Sequence, residues 1–314
     1  MLLPYFPFEE RYSFTMGTFP LKETDPLVEV DEHYVAEITE KRRLLAEDHG
    51  YYFNALPETH LAQWEVLDKV LRALAAFYPQ HFQLTIKNDR WHWHNHLLNE
   101  QQSFVFEDNS SLPFLPLDWV GRQVQEDLLL MANDEAVTLN AGQLCFPNDW
   151  DLGEKFGKSF LDIHTHIPKV LSPMMMTAQK LMERILPHRP VWRLNWNFKI
   201  HNALDMSSKY FVASRKELAA LGPTLTSETI GERLYLRVER QTLTRLPRSG
   251  YILFGIHTYQ NTLANEAKDP DRARRMYQVL ESAPREVIQY KAIPFFEEAL
   301  MKYLKRNLIG FKNL

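Results

Sequence analysis

VWRLNWNFKI, residues 191–200, decides the fold. Trp192, Leu194, Trp196, Phe198 and Ile200 fall on one parity, and Arg193, Asn195, Asn197 and Lys199 on the other. A period of two marks a strand with one buried face, because successive side chains leave a pleated backbone on opposite sides. Downstream, residues 233–243 alternate again, with Leu234, Leu236 and Val238 opposed to Tyr235, Arg237 and Glu239. Residues 251–259 form a third strand candidate, and the turn LPRSG makes it the antiparallel neighbour of the second. Upstream, Val137, Leu139, Leu144 and Phe146 suggest one more strand.

Helical spacing governs the flanks. One helix runs through Tyr34, Val35, Ile38 and Leu44 with Asp31 placed to cap it, and a second carries Leu61, Trp64, Leu67, Leu71 and Leu74 behind Thr59. A third is expected over residues 118–131, where Val120, Val124, Leu128 and Met131 share a side. Residues 173–186 read as helix, with Met174, Met175 and Met176 as core filler. The tail, residues 270–307, reads as helices, with Pro294 bending the last. The first thirty residues, rich in Pro and aromatics, read as an extended arm packed on the body, and residues 79–116 have no clear period. Helices followed by antiparallel strands define an α+β chain. No Gly/Ser-rich linker interrupts it, so residues 1–314 are expected to form one domain.

Composition narrows the chemistry. Lys+Arg of 36 against Asp+Glu of 40 leaves a net charge of −4, without the positive field that steers proteins to nucleic acid or anionic lipid. A single cysteine, Cys145, permits no internal disulfide and no all-cysteine cluster. With no basic and apolar leader at the start and no apolar run of spanning length, a soluble, cytoplasmic protein is expected. GxGxxG, Walker, HExxH, CxxC and GxSxG signatures are absent, which speaks against a nucleotide, flavin or iron–sulfur site in this chain.

Three clusters remain. His92, His94 and His96 in RWHWHNH would share a strand face, either as metal ligands or as the polar side of an aromatic-rich hairpin. His164 and His166 in DIHTHIP are placed likewise, and either could ligate a haem iron or satisfy buried backbone groups. Arg237, Arg240, Arg245 and Arg248 face only Glu239 within RVERQTLTRLPRSG, which suits an anion site, a solvated turn or an internal ion pair. Cys145 reads as a buried apolar thiol, with a thiolate iron ligand as the alternative.

Taken in order, YSFTMGTFPL (residues 12–21), QEDLLLM (125–131), LCFPNDWDLGEKFGKSFLDIHTHIP (144–168), RLNWNF (193–198) and RVERQTLTRLPRSGYILFGIHTY (237–259) resemble the α subunits of haem-dependent oxidative N-demethylases. The likeness spans about residues 10–265, with a helical C-terminal extension over about 268–307. It implies a PAS-like antiparallel sheet flanked by helices. It also implies haem b and O2-dependent oxidation of a secondary methylated amine such as dimethylamine to amine and formaldehyde. NADPH, flavin and an iron–sulfur cluster would belong to separate reductase subunits. A haem-binding sensor or carrier without turnover is the alternative.

By the same resemblance His164 matches the family histidine of an IHxPVP-like pattern and is assigned as iron ligand, while His166, standing where a proline is usual, is the rival. Arg237, Arg240 and Arg245 match family arginines and are assigned, with Arg193, to cofactor binding. Gln241 and Tyr259 are assigned as distal hydrogen-bonding groups. His257 stands where the family usually has Arg.

Overall fold

A computed structural model describes residues 1–309. Its centre is a seven-stranded sheet built from β1 (Phe19–Pro20), β2 (Phe53–Ala55), β6 (Asp127–Met131), β7 (Leu139–Gln143), β8 (Val191–Lys199), β9 (Tyr235–Arg245) and β10 (Ile252–Thr262). The order is β1-β8-β9-β10-β6-β7-β2, with every neighbouring pair antiparallel. β3 (Phe82–Lys87), β4 (Arg90–Asn95) and β5 (Glu100–Val105) form a separate three-stranded meander from the stretch that had no clear period. The chain is thus mixed helix and sheet around one large antiparallel sheet.

Register fixes which side chains share a face. Asn195 lies opposite Glu239, Arg193 opposite Gln241, and Gln241 opposite Ile256, so these residues stand on one surface, here called the front. Trp196, Phe198, Leu236, Val238 and Tyr259 stand on the back, in a core built with helices Pro270–Ser282 and Glu297–Ile309. Further along the back, Leu128, Leu130 and Leu253 meet helices Tyr34–Glu47 and His60–Phe77 and the meander's aromatics. The front holds a third core, where Leu129, Met131, Leu243 and Ile256 meet Met175, Ala178 and Met182 of helix Ser172–Arg184.

The expected helix over 118–131 is corrected. A short helix, Pro116–Gly121, ends early, and residues 127–131 enter the sheet as β6 between β10 and β7. Every β6 residue is buried, and a strand covered on both faces presents a continuous apolar run that period alone cannot tell from a helix. Caps also differ. The Asp31 carboxylate accepts the N–H of His33, the residue just before helix Tyr34–Glu47, and no donor within the helix, and the Thr59 hydroxyl donates to the Leu56 carbonyl. Pro294 sits in the turn Ile293–Phe295 ahead of the last helix, separating it from helix Arg285–Tyr290.

Candidate functional site

The front of the sheet is the floor of a cavity of about 1830 Å³. That exceeds the ~300–1,000 Å³ typical of small-molecule pockets and leaves room for a large planar group. Leu129, Leu243, Phe254 and Ile256 give the floor an apolar half, while Arg193, Asn195, Glu239 and Gln241 give it a polar one. Met174, Met175, Ala178 and Met182 of helix Ser172–Arg184 cover the apolar half.

His164 stands in the wall. Ser159 caps the turn Phe160–Ile163 by accepting the Asp162 N–H, and His164 follows as its C-terminal cap. Its Nδ1 lies 2.6 Å from the Phe160 carbonyl, and the ring packs on that of Phe160 with centroids 4.3 Å apart. A carbonyl only accepts, so Nδ1 carries the proton and Nε2 keeps its lone pair. Nε2 has no partner among the described residues. Burial holds the imidazole below its ordinary pKa, which preserves the neutral form. A carbonyl that accepts from the other ring nitrogen, fixing tautomer and orientation, is the usual support of a metal-binding histidine. His166 also reaches the cavity lining, but its ring is exposed and makes no hydrogen bond among the described residues.

The polar floor is a connected strip. Arg193 donates Nε–H to the Met16 carbonyl (3.1 Å) and Nη1–H to Gln241 Oε1 (3.2 Å). Gln241 and Asn195 both donate to Glu239 Oε2, at 2.9 and 3.2 Å. Lys291, reaching in from the end of helix Arg285–Tyr290, donates to the Trp196 carbonyl at 2.6 Å with its ammonium 4.1 Å from the Trp196 ring centre.

His164, His166, Arg193 and Gln241 therefore come together, and the other assigned residues lie elsewhere. Arg237 is fully buried and spends its guanidinium on the carbonyls of Phe146, Pro147, Ala203 and Leu204 and on the Thr258 hydroxyl, tying two loops to the sheet. Arg240 projects from the back, where it meets the Pro26 carbonyl and Glu29. Tyr259, also on the back, gives its hydroxyl proton to Glu29 and stacks on His257. Arg245 caps the end of the covering helix through the carbonyls of Met182 (2.7 Å), Glu183 (3.2 Å) and Ile185 (2.8 Å). Arg248 is an exposed partner of Glu107. None of these four arginines is in the cavity lining, and strand alternation sends Arg240 to one face and Arg237 and Arg245 to the other.

His257 is fully buried between Glu126 (3.0 Å) and Asp31 (3.7 Å). Burial opposes its charge, yet Glu126, Asp31 and Glu37 together lift the imidazole to about 10. Cys145 is buried against Asp127, which accepts its backbone N–H at 2.8 Å, and burial pushes the thiol up. His92 pairs with Ser103, and the His94 and His96 rings lie tilted against each other with centroids 3.7 Å apart. No cluster of three metal-ligating side chains occurs among the described residues.

Sequence reading missed Lys291 and the covering methionines. Met174 and Met175 had a signal, two consecutive soft apolar residues at the start of an amphipathic helix, but that pattern is shared by ordinary core. Lys291 had none, since its cavity position depends on how the tail folds back across β8. The family model for haem-dependent oxidative N-demethylase, alpha subunit-like, matches residues 19–301, and so takes in most of the C-terminal helices as well.

Proposed function

Because the chain belongs to the haem-dependent oxidative N-demethylase, alpha subunit-like family, we propose that it is the haem-binding component of a multi-subunit oxygenase that demethylates a small secondary amine of the dimethylamine type. The observation that carries this reading is His164. Its Nδ1–H is committed to the Phe160 carbonyl, and its Nε2 lone pair is left free in the wall of a cavity larger than ordinary small-molecule pockets. His164 would hold the iron of haem b, and Arg193, with Gln241 behind it, belongs to the polar end of the same pocket. On this reading the large sheet is the counterpart of a PAS sheet, residues 1–314 act as one haem-binding unit, and the protein works in the cytoplasm.

When bound, haem supplies O2 activation. The chain's residues supply the rest. The methionines of helix Ser172–Arg184 and the apolar floor exclude water, and Gln241 offers a hydrogen-bonding amide on the cavity floor. Trp150 in the lining offers an aromatic face that attracts an alkylammonium group. One oxygen atom enters the N-methyl C–H bond and the other leaves as water, using two electrons and two protons. The carbinolamine then breaks its C–N bond to give amine and formaldehyde. The electrons come from NADPH through flavin and iron–sulfur groups on partner subunits, consistent with the lack of nucleotide and cluster motifs in this chain.

The test is to load purified protein with haem, supply a reductase and dimethylamine, and measure formaldehyde against NADPH consumed. Equimolar formaldehyde supports the proposal. A stable haem spectrum with no turnover over a panel of methylated amines would make the protein a haem sensor or carrier, and failure to take up haem would remove both readings.

A further inference from the structure

Among the cavity-lining cations without a carboxylate partner among the described residues, Arg193 and Lys291 stand beside the polar floor. Arg193 gives its hydrogen bonds to a carbonyl and an amide, and Lys291 gives its one bond to the Trp196 carbonyl. Neighbouring charges are already matched. Lys199 pairs with Asp149 at 2.7 Å, and Arg237 stands 3.9 Å from Glu239, whose other oxygen takes Asn195 and Gln241. Arg193 projects from the front of β8, and Lys291 is held at the Trp196 carbonyl three residues along the same strand, roughly 10 Å of strand rise away. Both line the cavity, and Arg193 is among the charges that act on the Lys291 ammonium. Uncompensated cations out of water are costly, and the wall answers in part through Lys291 itself. Desolvation pulls its pKa down to about 7 against the pull of Glu239, with Arg193 and Lys199 adding to the fall. A pocket wall with two surplus positive groups, free N–H donors on each and low dielectric around them is complementary to a small planar anion.

We propose that Arg193 and Lys291 bind a carboxylate belonging to the ligand in this cavity. Two sources share that chemistry: a propionate arm of the porphyrin, or the carboxylate of an N-methylated amino acid that serves as the amine substrate. This rests on the haem-oxygenase reading for the identity of the ligand, but not for the existence of an anion site. It also places at Lys291 a role that the arginine-rich strand does not fill, because Arg237, Arg240 and Arg245 are consumed in clamping backbone carbonyls.

The experiment compares the full-length protein with Lys291→Met, which keeps the aliphatic stem over Trp196, and Lys291→Arg, which keeps the charge. Four probes are titrated: haem, haem dimethyl ester, N-methylglycine and dimethylammonium chloride, the last two onto the haem-loaded protein. If the carboxylate is a propionate, Lys291→Met weakens haem on the order of ten- to hundred-fold, the change one charge-assisted hydrogen bond controls, and leaves the ester's affinity unchanged. If it is the substrate's, haem binds as before, N-methylglycine weakens by the same factor and dimethylammonium does not. Lys291→Arg restores binding in either case. Equal affinities of wild type and Lys291→Met for all four probes overturn the proposal. Should the wild-type protein take up no haem, the oxygenase reading fails on its own. N-methylglycine added to the haem-free protein then decides the anion site, a thermal shift lost in Lys291→Met supporting it and no shift in the wild type refuting it.

Discussion

Replacing His164 by Ala separates a ligand from a structural histidine, because the two roles predict losses of different size in different measurements. In the haem-free protein the substitution removes one hydrogen bond, Nδ1–H to the Phe160 carbonyl, worth about 0.5–1.5 kcal/mol net. It also removes a ring contact with Phe160 worth about 0.5–1.5 kcal/mol. Together these amount to about 1–3 kcal/mol, a fall in Tm of only a few degrees for a chain of this length. In the haem-loaded protein it removes the iron's protein ligand. Changing a partner that merely orients a metal ligand already costs about 10- to 100-fold in affinity, so losing the ligand itself is expected to exceed that. The assay pairs a circular-dichroism melt of the haem-free variant with a Soret titration of haem. A melt within a few degrees of wild type, with the Soret band displaced or abolished and recovered on adding free imidazole, is the expected result. His166→Ala, an exposed ring with no hydrogen bond among the described residues, should leave both measurements unchanged. A wild-type Soret band in His164→Ala, with that band lost in His166→Ala, refutes the assignment and transfers it to the neighbouring ring.

The clamp and the buried cluster give further tests. Arg245→Met releases the carbonyls at the end of helix Ser172–Arg184 and should cost about 2–4 kcal/mol in urea unfolding, since hydrogen bonds to a charged donor are worth about 1.5–3 kcal/mol each before compensation by water. The same variant should weaken haem retention through its effect on the helix, although the arginine is not at the site. His257→Leu leaves Glu126 buried without its cation and should cost about 3–5 kcal/mol, with much of the loss recovered by adding Glu126→Gln. The pH dependence has a definite sign. The folded pKa of His257, about 10, lies above its unfolded value, so the stabilisation is complete below about 6.5 and is lost as pH rises through 10. The wild-type urea midpoint should therefore decline across that interval, and His257→Leu should remove that decline. Carboxylate binding at Lys291, which faces Glu239, Arg193 and Lys199, should weaken as pH rises above about 7, where the free amine must first take up a proton. A flat affinity from pH 6 to 9 would contradict it.

The alternating strands β8, β9 and β10 were legible because an antiparallel sheet with two different faces imposes period two. β6 was not, because burial on both faces erases that period and four consecutive apolar residues fit a helix equally well. What alternation could not tell was what the polar parity of β8 faces. Arg193 and Asn195 look like the solvent side of a half-buried strand, yet they line an interior cavity, because the chain between residues 150 and 185 folds over the front of the sheet. That covering segment is joined to the strands by contacts distant in sequence, such as Arg245 on the carbonyls of helix Ser172–Arg184, and such contacts leave no local pattern.

The same geometry explains why the run of arginines places no guanidinium in the cavity lining. A guanidinium in the interior can give most of its donors to backbone carbonyls, and Arg237 and Arg245 do so at positions where loops and a helix end would otherwise leave carbonyls unpaired. Their positive charge is then spread over carbonyl dipoles and remains useful as scaffold. An ammonium on a flexible stem satisfies one carbonyl and keeps its other donors, so Lys291 over Trp196 retains donors in the cavity lining, which the arginines of β9 do not reach. Charge density along the sequence therefore located the scaffold of the site. Lys291, the group with spare hydrogen bonds on which the proposed carboxylate site rests, follows a tail helix some fifty residues further along the chain.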